Sequence, residues 1–510
     1  MIKRFFFYLV VLTLSLGCDG GNNQKEDTTP TEVAPTAITV SPTVVSAPAT
    51  GGSYEIAITA PARPKINGLP SWITLTDGVY NHYKIKYVLK VAANDSYDTR
   101  NVTLNVTSTG VADVSISVTQ EGQEKPVDPG DISNAATART MELGLGWNMG
   151  NHFDAYSNGV ASETAWQGKK ATQATFTGVK EKGFTSVRIP VTWMGHIGTA
   201  PDYTLDEVWL NRVYEVVGFA ENAGLKVILN THHDEDHGEA DGNHWQNLKA
   251  AVDNEDVNKQ IKEEIAAVWG QIATKFKDKG DFLMLESFNE LIYGNQWSST
   301  KDTEKRCDVI NQWNQVFVDA VRATGGNNAT RWLGVPGYAA SPTYLEYLKV
   351  PNDPAGKTML AFHCYDPYDY TIGDKQLPDW GHTGTSYKNG ETEIQRLFSS
   401  IFTNYVEKNI PIYMGEFGCS SRSKSNAKAW AYYLYYLEYV VKAAKTYRFA
   451  PFLWDNGAES HGQESHGYID HGNGEYISDS EEAVKAIVKA WSSTDPGYTL
   501  ESVYNNAPKF

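Results

Sequence analysis

Hydrophobic and polar positions follow two rhythms along this chain. From about residue 37 to 122, short runs of β-branched residues alternate with polar ones and are separated by turn formers. The runs are Ala37–Val40, Gly52–Ala57, Tyr83–Val91, Asn101–Thr107 and Asp113–Thr119. A period of two with no helical period predicts half-buried strands, hence a small all-β sandwich. From Ala135 the rhythm changes. Continuous apolar runs occur at Leu143–Met149, Phe184–Pro190, Leu225–Asn230, Phe282–Phe288, Trp332–Val335, Met359–His363, Ile410–Met414 and Pro451–Trp454. Between them lie stretches with helical spacing, including Leu205–Ala223, Asn258–Lys277, Thr303–Arg322, Glu393–Glu407 and Lys424–Ala444. Strands that are apolar throughout are buried on both faces, as in a parallel sheet covered by helices. Eight repeats favour closure, so the expected fold class is α/β, a (β/α)8 TIM barrel preceded by the sandwich. No G-x-G-x-x-G follows the first strand, which removes the usual dinucleotide site.

The start of the chain carries a different signal. Lys3 and Arg4 precede an apolar run from Phe5 to Leu16 that ends at Gly17-Cys18, in the order and length of a secretory leader. Ser15-Leu16-Gly17-Cys18 resembles the lipobox of bacterial lipoproteins, although Ser15 stands where that motif usually has Leu. The resemblance implies acylation of Cys18 and attachment to a membrane, and a resemblance to surface lipoproteins that carry an acidic stretch just after that Cys implies the outer membrane of a Gram-negative cell. The expected organisation is a leader over 1–17, a lipidated Cys18 with a flexible tether to residue 36, a sandwich over 37–123, a linker over 124–134 and the barrel over 135–510. The sandwich resembles the BACON domain through Pro70-Ser71-Trp72-Ile73, Ala93-Asn94-Asp95, Arg100 and Val118-Thr119-Gln120-Glu121-Gly122. That family accompanies polysaccharide enzymes, so Trp72 is either core packing, the preferred reading, or a sugar platform.

Charge narrows the partners. With 61 acidic against 44 basic residues the net charge is −17, which leaves no basic stripe for nucleic acid. Cys307, Cys364 and Cys419 allow at most one disulfide, and none has the CxxC spacing of a cysteine zinc site.

Barrel enzymes work at the C-terminal ends of their strands. There the apolar runs turn polar at Trp147-Asn148-Met149-Gly150-Asn151, Arg188, Asn230-Thr231-His232-His233-Asp234, Asn289-Glu290, His363-Cys364-Tyr365, Glu416-Phe417-Gly418 and Trp454-Asp455-Asn456. Seven of eight ends agreeing argues for one polar rim. Glu290 and Glu416 stand out at the ends of strands 4 and 7, and glycoside hydrolysis is a chemistry that needs two carboxyls flanking the scissile oxygen. A nucleophile must be ionised, which calls for a cation, and Arg188 is the barrel-end arginine; the acid must begin protonated, which a neighbouring carboxylate promotes.

At these residues the chain, from about 135 to 495, resembles glycoside hydrolase family 5 of clan A, and within it the subfamily 4 endoglucanases. The resemblance implies that Glu290 is the acid/base and Glu416 the nucleophile of a retaining endo-β-1,4-glucanase. It implies also that Asn289 contacts a 2-hydroxyl, that Arg188 and Tyr365 support the nucleophile, that His232 and His363 complete the floor, and that Trp454 stacks under the −1 sugar. Asn148 and His233 belong to the same rim. His152 departs from the family pattern and puts the shape of the minus subsites in question. Among loop aromatics, Trp166, Trp193, Trp245, Trp297 and Trp380 are candidates to line the cleft, Trp245 foremost.

Two rivals follow from the same residues. His232, His233, His237 and His244 among acidic neighbours could hold a metal, yet no H-E-x-x-H is present and strands 4 and 7 lack companion histidines. No catalytic metal or cofactor is expected, although the acidic loop could hold a structural Ca²⁺. A β-mannanase, or a glycan-binding lipoprotein with an inactive barrel, is the other alternative; intact carboxylates argue against the latter. The partner is then a β-glucan met by a lipid-anchored monomer. Gly337-Tyr338-Ala339-Ala340-Ser341 would leave a broad floor for side-branched chains, which places xyloglucan first.

Overall fold

The computed structural model describes residues 33–94, 96, 98–122, 129–130, 132–236, 244–299 and 301–510. The leader, Cys18, most of the tether, Asp95, much of the linker and His237 lie outside the described residues. The chain divides into two compact units, one ending at Lys125 and the other beginning at Pro126.

The first unit has eight strands among its described residues: β1 (Thr39–Ser41), β2 (Val44–Ala47), β3 (Gly52–Thr59), β4 (Lys65–Asn67), β5 (Ile73–Thr76), β6 (Lys84–Val91), β7 (Arg100–Thr107) and β8 (Val114–Gln120). They form two four-stranded sheets, ordered β1-β3-β6-β5 and β2-β8-β7-β4. In β6 every second residue is buried: Ile85, Tyr87, Leu89 and Val91 enter the core, while the lysines between them stay in water. The alternation read from the sequence is therefore the alternation of sandwich faces. Trp72 is half-buried against this core and the Arg100 guanidinium lies 4.4 Å over its ring, so it serves packing.

The second unit is a closed parallel barrel of β9 (Gly146–Met149), β12 (Ser186–Ile189), β13 (Lys226–Leu229), β14 (Leu283–Glu286), β15 (Leu333–Pro336), β16 (Thr358–Cys364), β17 (Ile412–Phe417) and β18 (Pro451–Asp455), with β9 closing on both β12 and β18. A two-stranded hairpin, β10 (Tyr156–Ser157) and β11 (Val160–Ala161), projects from the loop after β9. Helices Gln173–Glu181, Glu207–Asn222, Glu255–Phe276, Thr303–Ala323, Gly390–Ile401, Ala427–Thr446 and Glu481–Ser492 separate the strands. Their apolar stripes cover the outward side chains of the strands, such as Val187, Leu229, Leu285 and Leu453.

Strand alternation sends the other side chains into the barrel. Near its N-terminal end Ile228, Met284, Met359, Ala361, Tyr413 and Phe452 form an apolar layer. Gly146 has no side chain because Phe452 fills its place: a Cβ there would lie 2.0 Å from the ring. Two residues further along several strands the inward positions become Asn148, Arg188, Glu286, His363 and Trp454, with Asn230 immediately after β13. β17 changes phase through an irregularity between Met414 and Phe417, which turns Glu416 inward beside His363 of β16.

Candidate active site

Arg188, fully buried, organises the upper layer. Its Nη1 donates to Glu416 Oε1 at 2.7 Å and to Asn148 Oδ1 at 3.0 Å. Its Nη2 donates to Glu286 Oε1 at 2.8 Å and Asn289 Oδ1 at 3.0 Å, and its Nε to Glu286 Oε1 at 3.0 Å. The planar fork thus satisfies two carboxylates and two amides at once, which a lysine could not do. The Tyr365 hydroxyl donates to Glu416 Oε2 at 2.9 Å. Both oxygens of Glu416 are therefore held, and Asn148 Nδ2 donates to Gly415 O at 2.9 Å, fixing the backbone beneath it.

Glu290 sits against Glu416 through His363. His363 Nδ1 is 2.6 Å from Glu290 Oε1 and 3.7 Å from Glu416 Oε2. One ligating atom each of Glu290, His363 and Glu416 lie within 4.8 Å of one another. Burial lowers the His363 pKa to about 4, against the pull of Glu416, so the ring is neutral near pH 7. A neutral imidazole can pair with Glu290 in either protonation state, donating to the carboxylate or accepting from the acid. Burial raises the Glu416 pKa and the Glu290 charge adds to it, while His363 and Arg188 pull the other way. Exposure separates the pair: the Glu290 side chain is 19% exposed and that of Glu416 6%. One carboxyl meets solvent and the other lies below it, fixed by donors.

The remaining rim residues follow. Asn289 Oδ1 accepts from Arg188 Nη2, and its Nδ2 donates to Glu235 Oε1 at 3.2 Å. The half-buried Trp454 indole lies parallel to His232, 5.7 Å between centroids and 7° between planes. Asn230 Nδ2 is 3.2 Å from His232 Nδ1, and Asn230 Oδ1 accepts the Val191 N–H at 3.2 Å. His233 Nε2 lies 3.6 Å from Asp154 Oδ2, and Trp166 is 5.7 Å from the His233 ring.

Asp154, His232 and His233 place three ligating atoms within 4.8 Å of one another, so among the described residues only two of the four histidines weighed for a metal meet a carboxylate here. Both Asp154 oxygens already accept the His152 and Asn151 N–H groups, and His232 Nδ1 already meets Asn230 Nδ2, so these donors are engaged within the protein. The catalytic reading of the rim keeps Glu290, Glu416, Arg188, His232, His233, Asn289, His363, Tyr365, Trp454 and Asn148 in one cluster.

Several expectations need correction. Trp193 and Trp380 are fully buried and Trp245 nearly so, because the loops bearing them fold back onto the barrel. The Trp245 indole stands beside Asp234, whose carboxyl also accepts the Trp193 and Met194 N–H groups, so Trp245 braces the loop rather than facing the cleft. Trp166 and Trp297 are exposed, at 43% and 51%. His152 is also buried, near Glu163 and between Phe153 and His471, because its backbone N–H is tied to Asp154. It cannot shape the minus subsites by contact. Gly337–Ala340 are buried as well, with the Tyr338 hydroxyl accepting the Tyr293 N–H, so they pack a loop and form no cleft floor. The three barrel cysteines are all free and buried.

Sequence reasoning missed Glu286, whose carboxylate accepts from Arg188, Asn230 and Tyr413. Its signal was present: a lone carboxylate inside the apolar run Phe282–Phe288 must have a buried partner.

Comparison with known proteins agrees with this geometry. Residues 150–460 match the model of the family described as cellulase, glycosyl hydrolase family 5. The chain is 30% identical over 491 residues to the xyloglucan-specific endo-β-1,4-glucanase BoGH5A of Bacteroides ovatus, across 89% of this chain and 92% of that protein. A Bacteroidetes-affiliated GH5 cellulase linked with a polysaccharide utilization locus superposes with a TM-score of 0.71 at 42% identity, covering 74% of this chain and 98% of that one. A GH5-4 broad specificity endoglucanase from Bacteroides salanitronis does so with 0.67 at 42% identity, covering 73% and 99%. This chain belongs to glycosyl hydrolase family 5, the cellulase family.

Proposed function

We propose that Glu416 is the nucleophile and Glu290 the acid/base of a retaining mechanism. The protein is an endo-β-1,4-glucanase, and its chemistry is hydrolysis of β-1,4-glucan backbones. The observation that carries the retaining assignment is the approach of Glu290 and Glu416 to within 4.8 Å. Retention needs carboxyls about 5–5.5 Å apart, whereas inversion needs roughly 6.5–9.5 Å to admit a water between them.

In the first half-reaction a Glu416 oxygen attacks the anomeric carbon while Glu290 delivers its proton to the departing glycosidic oxygen. The C–O bond breaks, the leaving chain departs as an alcohol, and a glycosyl ester forms on Glu416. Loss of the Glu416 charge then lowers the proton affinity of Glu290, which takes a proton from water as that water attacks the anomeric carbon; the bond from that carbon to Glu416 breaks, Glu416 leaves as a carboxylate and the sugar is released with its original configuration. Arg188 and the Tyr365 hydroxyl hold Glu416 in place for attack, and the Trp454 face supports the sugar.

The preferred substrate is a soluble decorated or mixed-linkage β-glucan, with xyloglucan first and crystalline cellulose last. What supports this order is the long alignment with a xyloglucan-specific relative, across 89% of this chain. Initial rates on xyloglucan, mixed-linkage glucan, carboxymethyl cellulose and glucomannan test it; a mannan optimum, or release of single sugars from chain ends, overturns it. Attachment through acylated Cys18 at the outer membrane, with a BACON-like spacer, completes the reading. Cys18→Ala then moves the protein from the membrane fraction to the soluble one, and an unchanged distribution refutes the anchor.

A further inference from the structure

Glu286 is a carboxylate that the proposed reaction does not use, yet it lies in the middle of the barrel with no exposure. Its Oε1 accepts from Arg188 Nε at 3.0 Å, Arg188 Nη2 at 2.8 Å and Asn230 Nδ2 at 2.9 Å. Its Oε2 accepts from the Tyr413 hydroxyl. Gly334 on β15 makes that last contact possible, because a Cβ there would lie 2.2 Å from the Tyr413 oxygen. Arg188 is therefore divided between two carboxylates, Glu286 below and Glu416 above, on opposite arms of one guanidinium.

A buried arginine paired with Glu416 alone would neutralise it, lowering both its proton affinity and its nucleophilicity. A second anion on the same guanidinium counters this. We infer that Glu286 is a positioning residue that shares Arg188 with Glu416, so that the nucleophile is oriented by the arginine without being fully neutralised by it. This rests on the assignment of Glu416 as nucleophile.

The charged and titratable groups facing the two carboxylates are few among the described residues. Glu286 faces Arg188 of β12, Tyr413 of β17 and, at longer range, His363 of β16. Glu416 faces Arg188, His363, Tyr365, Glu290 and, at longer range, Asp154. Removing the charge of Glu286 leaves Arg188 to Glu416 alone and takes away a like charge; both effects favour the ionised nucleophile.

Glu286→Gln is the direct test, since the amide can keep the bonds to Arg188 and Asn230. Its oxygen accepts from Arg188 and Asn230 and its NH2 donates to the Tyr413 oxygen, so the charge is removed and the Tyr413 bond alone is reversed. The acidic limb of the kcat/KM profile should move about one unit to lower pH, with kcat falling roughly tenfold at the optimum through slower glycosylation. Tyr413→Phe keeps the charge but removes a hydrogen bond that disperses it, so Glu286 draws harder on Arg188 and the same limb should move upward by a few tenths. This second variant also decides the matter if Glu286→Gln does not fold. Limbs that stay in place in both variants, with or without a loss of rate, overturn the inference and leave Glu286 a structural residue. Failure of the nucleophile assignment is read separately, from Glu416→Gln retaining near-normal turnover.

Discussion

Two layers of the barrel interior are built from the same strands and differ in almost every physical respect. The lower layer, with Ile228, Met284, Met359, Ala361, Tyr413 and Phe452, is closed and apolar apart from one hydroxyl. The upper layer, two residues further along several strands, holds Arg188, Glu286, His363 and Glu416, all buried and all paired. Burying such charges costs stability, and a barrel of apolar side chains alone would fold without that penalty. The upper layer persists because chemistry needs it, and the lower layer supplies the rigid plug on which it stands.

The comparison predicts that upper-layer changes strike activity and lower-layer changes strike stability. The largest effect belongs to Glu416→Gln, which removes the proposed nucleophile and should cut kcat on polysaccharide on the order of 10,000-fold or more, with the fold retained. Glu290→Gln should lose roughly 100- to 10,000-fold on polysaccharide. On an aryl glycoside with a good leaving group it should still release the aryl alcohol, because that departure needs no proton, and Glu416→Gln should not. If both variants keep near-normal activity, the two layers do not divide as described.

Arg188→Lys should come next. One ammonium cannot reach Glu286, Glu416, Asn148 and Asn289 together, so kcat should fall about 100-fold and the melting temperature should drop too. Phe452→Ala tests the other layer: deleting a fully buried ring should cost about 3–5 kcal/mol in chemical denaturation. The protein that remains folded should keep its kcat within a few-fold. A large kcat loss without a stability loss would break the comparison.

The smallest effect is a pH dependence that the apolar layer cannot produce. His152, His363 and His466 have folded pKa values lowered to about 4 by burial, so their contribution is present above about 6.5 and is lost as pH falls toward 4. Asp154 is raised to about 7, and Asp234 and Glu235 to about 8, chiefly by burial. Their contribution is present at low pH and is lost as pH rises through those values. Above pH 6.5 only the carboxyls still titrate, so the melting temperature should fall from pH 6.5 to 8. Asp234→Asn should flatten that decline, whereas Phe452→Ala should lower the whole curve without changing its slope.

The two layers were not equally legible in the sequence. Eight apolar runs and their helices could be read because a strand buried on both faces carries few polar positions to blur it, and most of those fall toward its C-terminal end. Glu290, Glu416 and Arg188 could be read because they stand where those runs turn polar. The pairing of Arg188 with Glu286 could not, since inward and outward residues of such a strand look alike without the register. Trp245 and Gly337–Ala340 were misplaced for a related reason: position after a strand does not say which way a loop folds. The sandwich lost β2, β4 and β5 to their brevity, three or four residues being too few to establish a period.

The central claim is that Glu416 forms a covalent glycosyl ester during turnover. Incubation with an activated 2-deoxy-2-fluoro-β-cellobioside, followed by proteolysis and peptide mass spectrometry, tests it without relying on any variant. The account predicts time-dependent inactivation and a single label on Glu416. A label on Glu290, Glu286 or another carboxylate, or turnover of the natural substrate with inverted anomeric configuration, would contradict it.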